Sequence, residues 1–90
     1  MDNYNFTKGK WEYLYDGFEH CYDIVSDNEF ICTTMSGNTK AKADALLISK
    51  APEMLEFLQS IVSDYENGLI EDIEDLAIRS EQLIKEATEL

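Results

Sequence analysis

The sequence is poor in basic residues: it has seven Lys and Arg against 19 Asp and Glu, which gives a net charge of −12. The deficit is concentrated in the second half. Residues 1–50 hold 8 acids and 5 bases, whereas residues 51–90 hold 11 acids and 2 bases. A field of this sign repels nucleic-acid phosphates and anionic membranes, and it favours basic protein surfaces. We therefore expect a basic protein surface as the partner, with no direct binding to nucleic acid or membrane. Acidity that serves solubility alone is the alternative.

Long apolar runs are also missing. No stretch approaches the ~20 apolar residues that span a bilayer, and the N-terminus lacks the apolar region of a signal peptide. Hydrophobic residues nevertheless make up 44% of the chain and aromatic residues 11%, which is enough for a folded core. The chain is therefore expected to be a single acidic α+β domain, residues 1–90, located in the cytoplasm.

Metal ligands and nucleophiles are scarce. The soft ligands are His20, Cys21 and Cys32, and they lack the paired spacing of a zinc site. No GxSxG-like turn accompanies a nucleophile, and no glycine-rich phosphate loop is present. The acidic run at residues 71–75 lacks the ligand spacing of an EF-hand. We expect no metal, no cofactor and no catalysis, so the chain should act by binding. A small enzyme is the alternative that this pattern disfavours.

The first half has the pattern of short strands. Residues 11–15 place aromatic rings at alternate positions, and a turn-like Asp-Gly pair follows them. Residues 20–25 run to a polar turn, and residues 29–35 form a third segment. Short turns between short strands predict a three-stranded antiparallel sheet over about residues 10–35.

The second half has helical periodicity. Three helices are predicted at about residues 39–49, 52–66 and 70–88, which together with the sheet define an α+β fold. Helices that cover one face of the sheet would bury their apolar stripes. The residues expected in this core are Leu47, Leu58, Ile61, Ile73 and Ile84.

The predicted helix ends rest on particular residues. Asn38 or Thr39 is suited to cap the first helix through its side chain. Pro52 fits the first turn of the second helix, and Asn67 with Gly68 closes that helix.

Two surfaces are candidates for partner binding. On the last helix Ile78 falls on the outer, acidic face, where an apolar residue can anchor a partner or a second copy. The predicted site consists of Glu71, Asp75, Ile78, Gln82 and Glu86. A single exposed aliphatic residue is also normal, so Ile78 has two interpretations. The alternative surface is the sheet face with Trp11 and Tyr13, whose rings belong to the core if the helices cover them.

Two segments contain motifs that resemble those of a known protein family. Residues 7–12, T-K-G-K-W-E, are similar to the T-P-G-P-W opening of that family, with lysines in place of both prolines. Residues 43–58, A-D-A-L-L-I-S-K-A-P-E-M-L-E-F-L, are similar to its N-A-x-L-I-A-x-A-P-E-L-L-E-x-L segment. The family that these motifs resemble consists of short uncharacterised phage and prophage proteins. The resemblance therefore implies a phage origin, and it supplies no catalytic residues.

Analogy with other small acidic phage proteins leads to a functional expectation. Such proteins frequently inhibit host defence machinery, and some are anti-CRISPR proteins that dock on the basic channels of RNA-guided nucleases. We therefore expect a non-catalytic inhibitor of a host defence nuclease, acting in the host cytosol. The alternative is an accessory phage protein that assembles with itself or with replication or packaging proteins. The target, the oligomeric state and the mode of inhibition (groove blocking, interference with guide RNA, or allostery) all stay open.

Overall fold

The structure is a computed structural model, and it describes residues 5–27, 29–35, 37, 39–69 and 72–89. Within these residues three strands come first: β1 (Glu12–Asp16), β2 (Cys21–Ser26) and β3 (Glu29–Thr33). Three helices follow: α1 (Ala41–Ser49), α2 (Ala51–Glu66) and α3 (Ile73–Thr88). The strands form an antiparallel sheet in the order β1-β2-β3. The predicted fold, a three-stranded sheet followed by three helices, is confirmed.

A tight turn sets the pairing of β1 with β2. The Asp16 carboxylate accepts hydrogen bonds from the backbone N–H groups of Phe18 and Glu19, at 2.9 and 3.3 Å. His20 ends the turn with a φ of +56°, in the left-handed region that few residues other than glycine adopt. This turn fixes the register in which Tyr13 lies opposite Ile24 on one face of the sheet.

The predicted ends of α2 are confirmed. Pro52 lies in its first turn, where a missing N–H leaves no hydrogen bond unmade. At the other end Asn67 caps the helix and Gly68 follows with a φ of +69°. No helix in the described part of the chain is long and apolar enough to cross a membrane.

The starts of α1 and α3 differ. Lys40 occupies the cap position of α1 and makes no side-chain cap hydrogen bond, so the predicted cap by Thr39 is wrong. Asn38, the other predicted cap, lies outside the described residues. Asp72 caps α3, because its carboxylate accepts the backbone N–H of Glu74 at 2.9 Å.

The core lies where α1 packs against the sheet. α1 contacts β1, β2, α2 and α3, so it connects the sheet to both of the other helices. Ile24 of the central strand and Ala45 of α1 are both fully buried. Among the described residues, the buried apolar side chains are Cys21, Ile24, Ala41, Ala45, Leu46 and Ala87. Half of them are alanines, which lets α1 approach its neighbours closely.

The prediction of the core residues was wrong, because none of the five residues expected in the core is buried. Leu58, Ile73 and Ile84 are 58%, 79% and 61% exposed. Leu47 is about half exposed, and Ile61 is half-buried. The physical reason is the shape of the chain, whose radius of gyration is 15.7 Å against ~12 Å for a compact domain of this length. α2 contains no buried residue, so its apolar stripe remains largely uncovered.

The opening segment folds back onto the end of β2. Trp11 donates its indole N–H to the backbone oxygen of Thr7 at 3.0 Å. Ser26 donates its hydroxyl to the backbone oxygen of Lys8, also at 3.0 Å. Gly9 lies beside these bonds with a φ of +95°, and a Cβ at this position would lie 3.1 Å from Ser26 Oγ. The glycine and the tryptophan of this segment therefore have structural roles.

Replacing Gly9 by alanine should destabilise the fold more than replacing Gly37 by alanine. Both glycines have positive φ, so each variant incurs about 1–2 kcal/mol of left-handed strain. Only at Gly9 does the added methyl group meet Ser26, since no described residue has an atom within 4 Å of a Cβ at Gly37. We expect Gly9→Ala to lower the free energy of unfolding by roughly 1 kcal/mol more than Gly37→Ala. Urea denaturation measures both, and equal losses would contradict the close approach.

Candidate functional site

α3 presents most of the predicted binding residues to solvent. Asp75, Ile78, Gln82 and Glu86 are all exposed, and Ile78 is 58% exposed. The predicted outward position of Ile78 is therefore correct. Glu71, the fifth predicted residue, lies outside the described residues.

Two contacts along α3 order these side chains. Arg79 Nε lies 3.2 Å from Asp75 Oδ2, and Gln82 Nε2 donates to Glu86 Oε2 at 3.1 Å. Each pair spans one helical turn and is solvent-exposed, so each stabilises the helix by only a few tenths of a kcal/mol, roughly. A basic group of a partner can therefore displace Arg79 from Asp75 at little cost.

A shallow groove of about 370 Å³ runs between α2 and α3. Its walls include Glu53, Glu56 and Phe57 of α2 and Arg79, Gln82 and Glu86 of α3. The Arg79 guanidinium lies 5.8 Å from the centre of the Phe57 ring, in cation–π geometry. The predicted site is thus divided between two places. Gln82 and Glu86 line the groove, whereas Asp75 and Ile78 do not.

The contribution of α2 to this groove was not predicted. Glu56 and Phe57 lie three and four residues after Glu53, which places all three on one side of a helix. The sequence contained that signal, but it does not show that this side of α2 faces α3. Three carboxylates now share the groove with one guanidinium, so its charge favours a basic side chain.

The aromatic residues of the sheet, the alternative predicted surface, have structural contacts. Trp11 is half-buried and lies in a pocket with Phe6, Pro52 and Leu55. Tyr13 is half-buried and meets Tyr22 edge to face, with ring centroids 5.9 Å apart. Trp11 therefore packs the opening segment against the start of α2, and Tyr13 packs within the sheet, so both rings offer a partner less surface than the exposed side chains of α3 do.

One group of potential metal ligands lies at the turn between β1 and β2. One ligand atom each from Asp16, Cys21 and Asp23 lies within 4.8 Å of the others. The Asp16 carboxylate already accepts the two backbone N–H groups of the turn, and Thr33 donates its hydroxyl to Cys21 Sγ at 3.2 Å. Asp16 therefore has a structural role in the turn, and Cys21 has a partner within the sheet. Both cysteines of the chain are free thiols.

The sheet, its covering helix and the acidic groove together define a small acidic α+β protein with two exposed C-terminal helices. A protein family described as Salmonella phage P22 protein Y8K6 matches residues 1–89 of the chain. The chain belongs to this phage protein family, in agreement with the phage origin that the resemblance implied. A search of the curated proteins and a search of the solved structures found no match.

Proposed function

We propose that this chain is a non-catalytic phage protein that binds a basic protein surface through the acidic groove and the neighbouring outer side of α3. The observation that carries the proposal is the grouping of Glu53, Glu56 and Glu86 around one groove in a chain of net charge −12. Long-range attraction steers such a surface toward a positively charged partner.

The partner class that we propose is a host defence nuclease, and an RNA-guided effector is the first to test. Such enzymes hold nucleic acid in positively charged channels, which an acidic protein can occupy in its place. The phage origin of the family supports this choice, because a phage gains from blocking host defence. An accessory role in phage replication or packaging is the alternative.

Charge reversal on α3 provides the test of this proposal. The variant Asp75→Lys with Glu86→Lys should associate with a purified, guide-loaded effector about tenfold more slowly, because exposed charges act mainly on the association rate. The matched control is Glu12→Lys with Glu19→Lys, which makes the same change in net charge at two exposed residues of the sheet region. Binding kinetics at two salt concentrations should show weaker association at the higher one.

Ile78→Asp tests the apolar anchor within the same experiment. Because an anchor acts on dissociation, this variant should shorten the lifetime of the complex. Cleavage by the effector should be inhibited by the wild type and restored by the variants. If the control pair and the α3 pair slow association equally, only net charge matters and the groove is not the binding site. If a panel of effectors shows neither binding nor inhibition, the accessory role replaces the proposal.

A further inference from the structure

α2 and α3 share a second surface, which is apolar and lies opposite the groove. Around each helix axis, three sides follow one another in the same order. On α2 the groove side with Glu56 is followed by half-buried Ile61 and then by exposed Leu58 and Val62. On α3 the exposed residues of the matching side are again apolar. Both helices therefore show the same order of a groove side, a half-buried side and an exposed apolar side.

The order on α3 runs from Gln82 in the groove, through half-buried Leu83, to exposed Ile73 and Ile84. The two helices run antiparallel: if they shared this groove in parallel, Glu66 at the end of α2 and Ile73 at the start of α3 would lie roughly 30 Å apart, which is more than the link between them can span (~25 Å). Because α2 and α3 run in opposite directions, the same order of sides around each axis brings the exposed apolar side of α2 and that of α3 to one face of the helix pair. We call this surface the apolar face; it consists of Leu58, Val62, Tyr65, Ile73, Ala77 and Ile84.

The apolar face is free of charge in a strongly acidic chain. On the helical wheel the charged residues of α2 and α3 all fall outside its two arcs. Two copies that meet through this face would therefore keep their acidic grooves on the outside. That arrangement matters because each copy carries a net charge of −12, and like charges brought into contact oppose association.

The exposed area is sufficient for a small dimer interface. Five large side chains of the apolar face, with Leu69 beside them in the link between the helices, are each more than half exposed. Each offers on the order of 100 Å² of surface, which gives roughly 600 Å² per copy. A specific interface buries about 600–1,000 Å² per partner. α2, which has no buried residue in the single chain, would acquire a packed side in this way.

We propose that the apolar face is the interface of a homodimer, in which the apolar stripes of two helix pairs complete each other's core. A symmetric pair brings the same patch of both copies together, as most small oligomers do. A small domain with an incomplete core commonly gains its stability in this way. The proposal does not depend on the nuclease, because it concerns the chain alone.

The test is the mass of the purified full chain, measured by sedimentation in the micromolar range. We expect about twice the 10.3 kDa of one chain. Val62→Asp should shift the chain to the monomer, whereas Ile78→Asp should leave it dimeric. The two substitutions are matched, since Val62 is 52% and Ile78 is 58% exposed and they lie on different sides of the helix pair. Tyr65→Ser, a milder change on the apolar face, should weaken the dimer about tenfold or more.

The salt dependence of binding distinguishes the dimer interface from the acidic groove. Screening reduces the repulsion between two acidic copies, so the dimer should hold or tighten as salt rises, whereas binding to a basic partner should weaken. A wild-type chain that is monomeric throughout the micromolar range would overturn the proposal. A dimer that survives both Val62→Asp and Tyr65→Ser, or that dissociates in high salt, would overturn it equally.

Discussion

Ile24→Ala should lower the free energy of unfolding by about 2–5 kcal/mol, a large share of the stability of a domain of this size. Ile24 is fully buried on the central strand, opposite Tyr13. Removing three methyl or methylene groups there leaves a cavity that the surrounding side chains fill only in part. Urea denaturation followed by far-UV circular dichroism measures the loss.

Leu14→Ala is the matched control for this substitution. Leu14 lies on the neighbouring strand β1 and is half exposed, so its truncation should change the stability by about 0.5 kcal/mol. Ile24→Val, which removes a single methylene, should fall between the two at about 0.5–1.5 kcal/mol. If Ile24→Ala and Leu14→Ala cost the same, Ile24 is not the centre of the core.

Elements that depend on local sequence were predictable. The aromatic alternation that predicted β1 ends at Asp16 and Gly17, whose turn chemistry is visible in the sequence. Pro52 and Gly68 mark the two ends of α2 because each has a backbone preference that acts over one or two residues. The fold class follows from the succession of these local signals.

The core was not predictable in the same way, as Leu58, Ile73 and Ile84 show. Helical periodicity identifies which side of a helix is apolar, but it does not say what covers that side. These three residues form the apolar stripes that the sequence predicted, and the single chain leaves them exposed. The contacts that the sequence did not indicate are long-range ones, such as Gly9 against Ser26.

The candidate site was predicted in part for the same reason. The outward position of Ile78 depends only on the helical wheel of α3. The groove depends on how α2 lies against α3, and so its residues Glu53 and Phe57 were missed. The pairing of Arg79 with Asp75, at the predicted face, is again a contact within one helix turn.

The two surfaces of the helix pair are compatible with each other. The acidic groove and the apolar face lie on opposite sides, so a homodimer would present two grooves, one from each copy. Two linked sites raise the apparent affinity for a partner that offers two basic patches, provided that both can be reached together. Val62→Asp should therefore weaken inhibition of such a partner while leaving the affinity of one groove unchanged.

Ala45→Glu should unfold a large fraction of the chain, whereas Ala43→Glu should leave it folded. Ala45 is fully buried in α1, and Ala43, two residues earlier in the same helix, is exposed. A carboxylate at residue 45 must displace packed neighbours and lose its hydration without a partner, at a cost of about 3 kcal/mol or more. At residue 43 the same side chain reaches water in the first turn of α1, where an acid is favourable.

Because α1 connects the sheet to α2 and α3, the Ala45→Glu chain should lose the groove and the apolar face together. Thermal unfolding, sedimentation and effector binding of the two variants check this, and a stable, dimeric Ala45→Glu protein would show that α1 does not hold the helix pair in place.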